Sequence, residues 1–155
     1  MRFFAFLCAL MFWSSSSQAQ NVIDYTFRLS QINGVKVVLT DDAKGACWTN
    51  LKEVREYVEE KLRMKGVTVL ADNTPIGGFI KIYQLSIGVI ALRLYQNGTG
   101  PCFGGIRVNL ETASTIDGKF HNSLIADHFV VAAKDQNLNR DVILSVGEMI
   151  DELQR

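Results

Sequence analysis

The sequence predicts an α+β fold: a two-layer sandwich in which a mainly antiparallel sheet of five to seven strands is covered by two amphipathic helices. Three observations lead there. Leu51, Val54, Val58 and Leu62 recur at helical spacing, and Val142, Val146, Met149, Ile150 and Leu153 form a second such stripe near the end of the chain. Between the stripes, apolar residues recur with period two, the signature of half-buried strands. Turn pairs such as Asn33-Gly34 and Asp117-Gly118 punctuate those runs, and adjacent hairpins favour antiparallel pairing. Each helix then needs a face to cover.

The chain has 155 residues, and the first nineteen read as a secretory signal (1–19). Arg2 supplies the positive start, and residues 3–13 form an apolar run too short to span a bilayer. Ser17-Gln18-Ala19 matches a small-x-small cleavage pattern, which puts the cut after Ala19. Cys8 leaves with the signal, because Ala5-Phe6-Leu7 before it is not a lipobox. Residues 20–155 then form a single α+β domain, periplasmic or secreted, with no apolar stretch long enough to cross a membrane.

Taken in order, residues 21–29 alternate Ile23, Tyr25, Phe27 and Leu29 with polar neighbours, a first strand. Val35, Val37 and Leu39 give a second after the Asn33-Gly34 turn. Asn50 and Glu53 have capping-box spacing ahead of the first helix, and Gly66 is the expected left-handed residue beyond its end. Residues 67–70 are a short strand, and Pro75 and Gly77-Gly78 mark a loop. Residues 79–87 and 89–96 read as two strands joined by a hairpin at Gly88, since one strand of that combined length would be unusual. Ile106, Val108 and Leu110 alternate cleanly, whereas residues 124–133 suit helix or strand, Phe129-Val130-Val131 favouring strand. Asn139 and Asp141 suit the start of the last helix, within which Gly147 costs about 1 kcal/mol relative to alanine.

Sixteen basic and sixteen acidic residues balance, with no basic run, which argues against nucleic acid or an anionic membrane surface as partner. Cys47 and Cys102 remain after the signal, an even count for an oxidising compartment. Lacking a C-x-x-C spacing, they are expected to form a structural disulfide rather than a redox pair.

Residues 50–110 resemble, at the level of pattern, small envelope modules of Gram-negative bacteria. The N-terminal domain of the translocation protein TolB and some outer-membrane assembly lipoproteins are similar in this way. The shared features are a helix ending in Lys65-Gly66, the following Val67-Thr68-Val69, and a Gly78-Phe79-Ile80-Lys81-Ile82 strand after a short loop. The resemblance covers under half of the chain and carries no catalytic motif.

Chemistry has few candidates. His121, Asp127 and His128 are a metal-ligand or hydrolase set by residue type, but they lack the spacing of a helical zinc motif, and on a strand Asp127 and His128 point to opposite faces. Ser123 lacks a nucleophile elbow. The glycines at 98, 100, 104 and 105 precede a strand, not a helix, so they read as a hairpin rather than a phosphate cradle. Asp41, Asp42 and Asp72 read as solvated loop residues, Asn97-Gly98-Thr99 is a formal glycosylation sequon, and Tyr83, Tyr95 and Phe103 are candidates for a binding surface. No motif implies a cofactor.

The expectation is an exported, non-catalytic module that binds a protein or another envelope component, with strand addition to a sheet edge as its recognition mode. Two alternatives stand beside it. One is a small exported hydrolase or metal-dependent enzyme using His121, Asp127 and His128; the other is a small-ligand carrier with a cavity between helices and sheet.

Overall fold

The computed structural model describes Ile32 and Gly34, then residues 35–74, 83–95, 99–116 and 119–153. The expected signal and first strand, within residues 1–31, and the start of the strand expected over residues 79–87 lie outside the described residues. The elements in order are β1 (Val35–Asp41), α1 (Leu51–Met64), β2 (Val69–Leu70), β3 (Tyr83–Arg93), β4 (Cys102–Ile116), β5 (Lys119–Lys134) and α2 (Asn139–Glu152). The strands form one five-stranded sheet in the order β2-β1-β3-β4-β5.

The sheet is mixed, so the expected mainly antiparallel pairing holds for part of it only. β1 pairs in parallel with both β2 and β3, while β3–β4 and β4–β5 are antiparallel. The cause is α1, which carries the chain back so that β1 and β2 run the same way, as a strand–helix–strand unit does. A correction concerns Gly88. No hairpin forms there; β3 runs straight through it, with Gly88 paired to Thr40 on β1 and Arg107 on β4.

The core lies between the helices and one face of the sheet. Val54, Val58 and Leu62 of α1 and Val142, Val146, Met149 and Ile150 of α2 are buried in one cluster with Val37, Leu85, Ile87, Val89, Ile106 and Val108. The first helix ends as its sequence requires. Gly66 sits at φ 79°, its N–H donates to the Arg63 carbonyl at 2.9 Å, and Val67 N–H donates to the Leu62 carbonyl at 3.0 Å. This is the double-bonded glycine stop, and Leu62 and Val67 on either side of it are both buried in the core cluster. Its start differs from the expected capping box: Asn50 makes no side-chain cap, and its amide instead donates to the Glu53 carboxylate at 3.0 Å. Asn139 likewise turns away from its own helix and bonds Thr49, joining the starts of the two helices.

The helices meet at Gly147. A side chain there would place its Cβ 2.8 Å from Tyr57 Oη and 3.4 Å from Lys61 Nζ. Lys61 instead donates to the Gly147 carbonyl at 3.1 Å and to Asp151 at 2.8 Å, and Lys65 pairs with Asp151 at 3.1 Å. Among the described residues, no helix is long and apolar enough to cross a membrane.

Candidate functional site

Strand register assigns every described sheet residue to a face, because directly opposed residues share one. On the helix side lie Leu85, Ile87, Val89 and Ala91 of β3 and Ile106, Val108 and Leu110 of β4, all buried. The other side of the sheet carries the alternate residues, and no described element packs on it. There β3 offers Gly88, Ile90 and Leu92, β4 offers Phe103, Gly105 and Arg107, and β5 offers Asp127, Phe129, Val131 and Ala133.

This open face is apolar at one end. Ile90, Leu92, Phe103, Phe129 and Val131 are between 53 % and 70 % exposed and sit on neighbouring strands. A contiguous exposed apolar cluster is unusual on a folded chain, whereas scattered single residues are ordinary. Two glycines shape it. A Cβ on Gly88 would meet nothing within 4 Å, and one on Gly105 would lie 2.8 Å from the ring of Phe129. The result is a trough of about 660 Å³ floored by Gly88 and Gly105 and walled by Ile90 and Phe129.

Charge borders the trough in two places, at exposed Asp42 just past the end of β1 and at the Arg107–Asp127 pair. Arg107 donates through Nε to one Asp127 carboxylate oxygen at 2.9 Å and through its terminal nitrogen to the other at 3.2 Å. The two-pronged bond to Asp127 raises Arg107 above its ordinary pKa. The pair is neutral as a unit.

The apolar end is held from beneath by a knot of loops. Arg93 donates to the carbonyls of Gly45, Gly100 and Gln136, each at 2.7 Å, and to that of Ala46 at 3.4 Å. One guanidinium thus ties the β1–α1 loop, the β3–β4 connection and the β5–α2 loop. Cys47 and Cys102 form a disulfide at the same place, as their sequence context led us to expect, with Cα atoms 5.5 Å apart and no exposure.

The residues singled out from sequence separate. Asp127 is on the open face with Arg107, while His128, one residue on, points to the helix side, where its Nε2 lies 3.6 Å from Glu148. The side chain of His121 lies outside the described residues; its backbone pairs with Ser114, away from the trough. The structure does not bring Asp127 and His128 together. Asp41 accepts the Ala43 N–H, and Asp72 pairs with Arg55. Of the glycine-rich stretch, Gly100 sits at φ 85° just ahead of β4, where Leu94 N–H donates to the Pro101 carbonyl, and Gly104 and Gly105 lie within β4; Gly98 lies outside the described residues. Of the three aromatics, Tyr83 is buried, whereas Tyr95 and Phe103 are exposed. Sequence reasoning missed Ile90, Leu92, Phe129 and Val131, because alternation alone does not say which of two apolar faces is covered. The trough lies on the opposite side of the sheet from the helices, so it is not the carrier cavity considered above.

No family model and no curated relative matches this chain. Among solved structures, a PelC dodecamer from Paraburkholderia phytofirmans is similar with a TM-score of 0.42 and 14 % identity, covering 80 % of this chain and 90 % of that one. A minor lipoprotein from Acinetobacter baumannii gives a TM-score of 0.35 and 10 % identity, covering 78 % and 84 %. Likenesses of this size carry no argument about function, which is drawn below from this chain's own residues.

Proposed function

We propose that this is an exported, non-catalytic module that binds a protein through the open face of its sheet. In this reading the helices and the sheet form two layers, and the third layer is the partner. The observation that carries it is the apolar cluster of Ile90, Leu92, Phe103, Phe129 and Val131, left more than half exposed by the chain's own packing. Burying apolar surface contributes roughly 25 cal/mol per Å², and aromatic residues beside a trough are the usual anchors of protein interfaces. A disulfide between buried cysteines suits an oxidising compartment outside the cytoplasm.

The test is site-specific photocrosslinking in cells that export the chain. A photoreactive residue at Leu92 or Phe103 should give a discrete protein adduct, while one at the exposed Lys52 of α1 should give none. Equal, diffuse labelling from both faces would remove the reading.

A second reading rests on β5. It is the last strand in the sheet order and runs for 16 residues with no described strand beyond it. An extended segment of a partner adding there would continue the sheet. Adducts confined to β5 and absent from Leu92 would favour this mode.

A further inference from the structure

The open face has a pattern of large and small side chains that matches itself when reversed along the strands. Its central row is Ile90, Gly105 and Val131, aligned across β3, β4 and β5. One row toward the β3–β4 connection are Leu92, Phe103 and Ala133; one row the other way are Gly88, Arg107 and Phe129. Where one of these flanking rows is bulky, its counterpart on the same strand is small or flat.

Resting on the reading of this face as a docking surface, we propose that its occupant is a second copy of this chain, packed face to face about a two-fold axis that crosses the strands at the Ile90–Gly105–Val131 row. Register then dictates what meets what. Leu92 enters the space over the second copy's Gly88, where a Cβ has nothing within 4 Å. Phe129 comes over the second copy's Ala133. Phe103 comes over the second copy's Arg107, whose planar guanidinium stacks on an aromatic ring while Asp127 holds its edge. Sheets packed this way lie about 10 Å apart and interdigitate their inner side chains. Correspondence between a surface and its own reversal is what an isologous two-fold interface requires, and an unrelated partner has no need of it.

Sedimentation of the full exported chain, purified from the cells that secrete it, tests this. The chain is expected to double its mass as concentration rises. Gly88→Leu fills the trough, where the second copy's Leu92 must sit, and is expected to weaken association at least about tenfold. A melting curve close to that of the unchanged chain is expected for this variant, since a Cβ at Gly88 meets nothing within 4 Å. Leu92→Ala should also weaken association. The double variant Gly88→Leu/Leu92→Ala exchanges bulky and small residues and should regain much of the loss, a recovery that general damage does not give. A chain monomeric at every concentration overturns the proposal, as does a dimer untouched by Gly88→Leu or a double variant no better than the singles. None of these results touches the docking reading, which fails separately if Leu92 and Phe103 give no adduct in the envelope.

Discussion

The ring of Phe129 lies across Gly105, so closely that a Cβ on the glycine would come within 2.8 Å of it. An aromatic ring on the outermost strand thus leans over a bare stretch of its neighbour, yet stays 61 % exposed. It contributes little to the core and much to the shape of the open face.

Replacing Phe129 by serine should therefore separate stability from binding. Folding free energy, followed by urea titration, should move by no more than about 0.5 kcal/mol, the range of an exposed substitution. The crosslinked adduct formed from Leu92 should be lost. A large fall in stability would mean that the ring serves the fold instead.

The loop knot makes a contrasting prediction. Arg93→Lys keeps the charge but cannot span three loops, so it should cost roughly 2–3 kcal/mol in the same titration, as bonds from a charged donor to carbonyls are lost. A neutral outcome would show that the loops hold without it.

Removing the disulfide with paired alanines at Cys47 and Cys102 should cost about 4 kcal/mol, because it releases a loop of 55 residues in the unfolded chain. The midpoint of urea unfolding reads this directly. A shift under about 1 kcal/mol would contradict the chain-entropy account.

Gly147 tests the helix crossing. Glycine to alanine within a helix ordinarily gains about 1 kcal/mol. Here the new methyl meets Tyr57 Oη, so Gly147→Ala should gain nothing or lose stability. In a Tyr57→Phe background the same change should turn favourable. If alanine stabilises both backgrounds equally, the contact is not limiting.

The Lys61–Asp151 clamp sets a pH dependence. Hydrogen bonds from Lys61 and then Lys65 hold Asp151 below the ordinary carboxylate pKa. Its contribution is therefore present above the unfolded value and lost as pH falls through the folded one, on the acid side of about pH 4. For Lys61, burial is the largest single influence and works against the charged form, but the hydrogen bonds and charges of Asp151 and Tyr57 together outweigh it, and the net shift is upward. That contribution holds below the usual lysine range and is lost as pH rises past the folded value. Asp151→Asn should flatten both limbs of a stability–pH curve; unchanged limbs would place the dependence elsewhere.

Much of this architecture was legible because local rules and tertiary packing agree. The stripe of α1, its stop at Gly66 and the alternation of Ile106, Val108 and Leu110 each have a single reading. Gly88 misled because a glycine between two apolar runs suits a turn as well as a strand. Only pairing with β1 and β4 shows that it is extended. The parallel pairing of β1 was hidden for a similar reason, since turn signals speak for neighbours in sequence and not for β1 beside β3. The open apolar face was hidden most deeply. In β3 the larger residues Ile90 and Leu92 are outside and the smaller Val89 and Ala91 inside. Hydrophobicity alone would choose the opposite, and the helices' position decides it.

If a protein covers the open face in the envelope, side chains in its central row are shielded there. Maleimide labelling of Ile90→Cys and Val131→Cys, in the intact envelope and then in dilute purified chain, tests it most directly. The account predicts slow labelling in the envelope and fast labelling after dilution, with a cysteine at Lys52 labelled quickly in both. Equally fast labelling of Ile90→Cys and Val131→Cys in the envelope would contradict it.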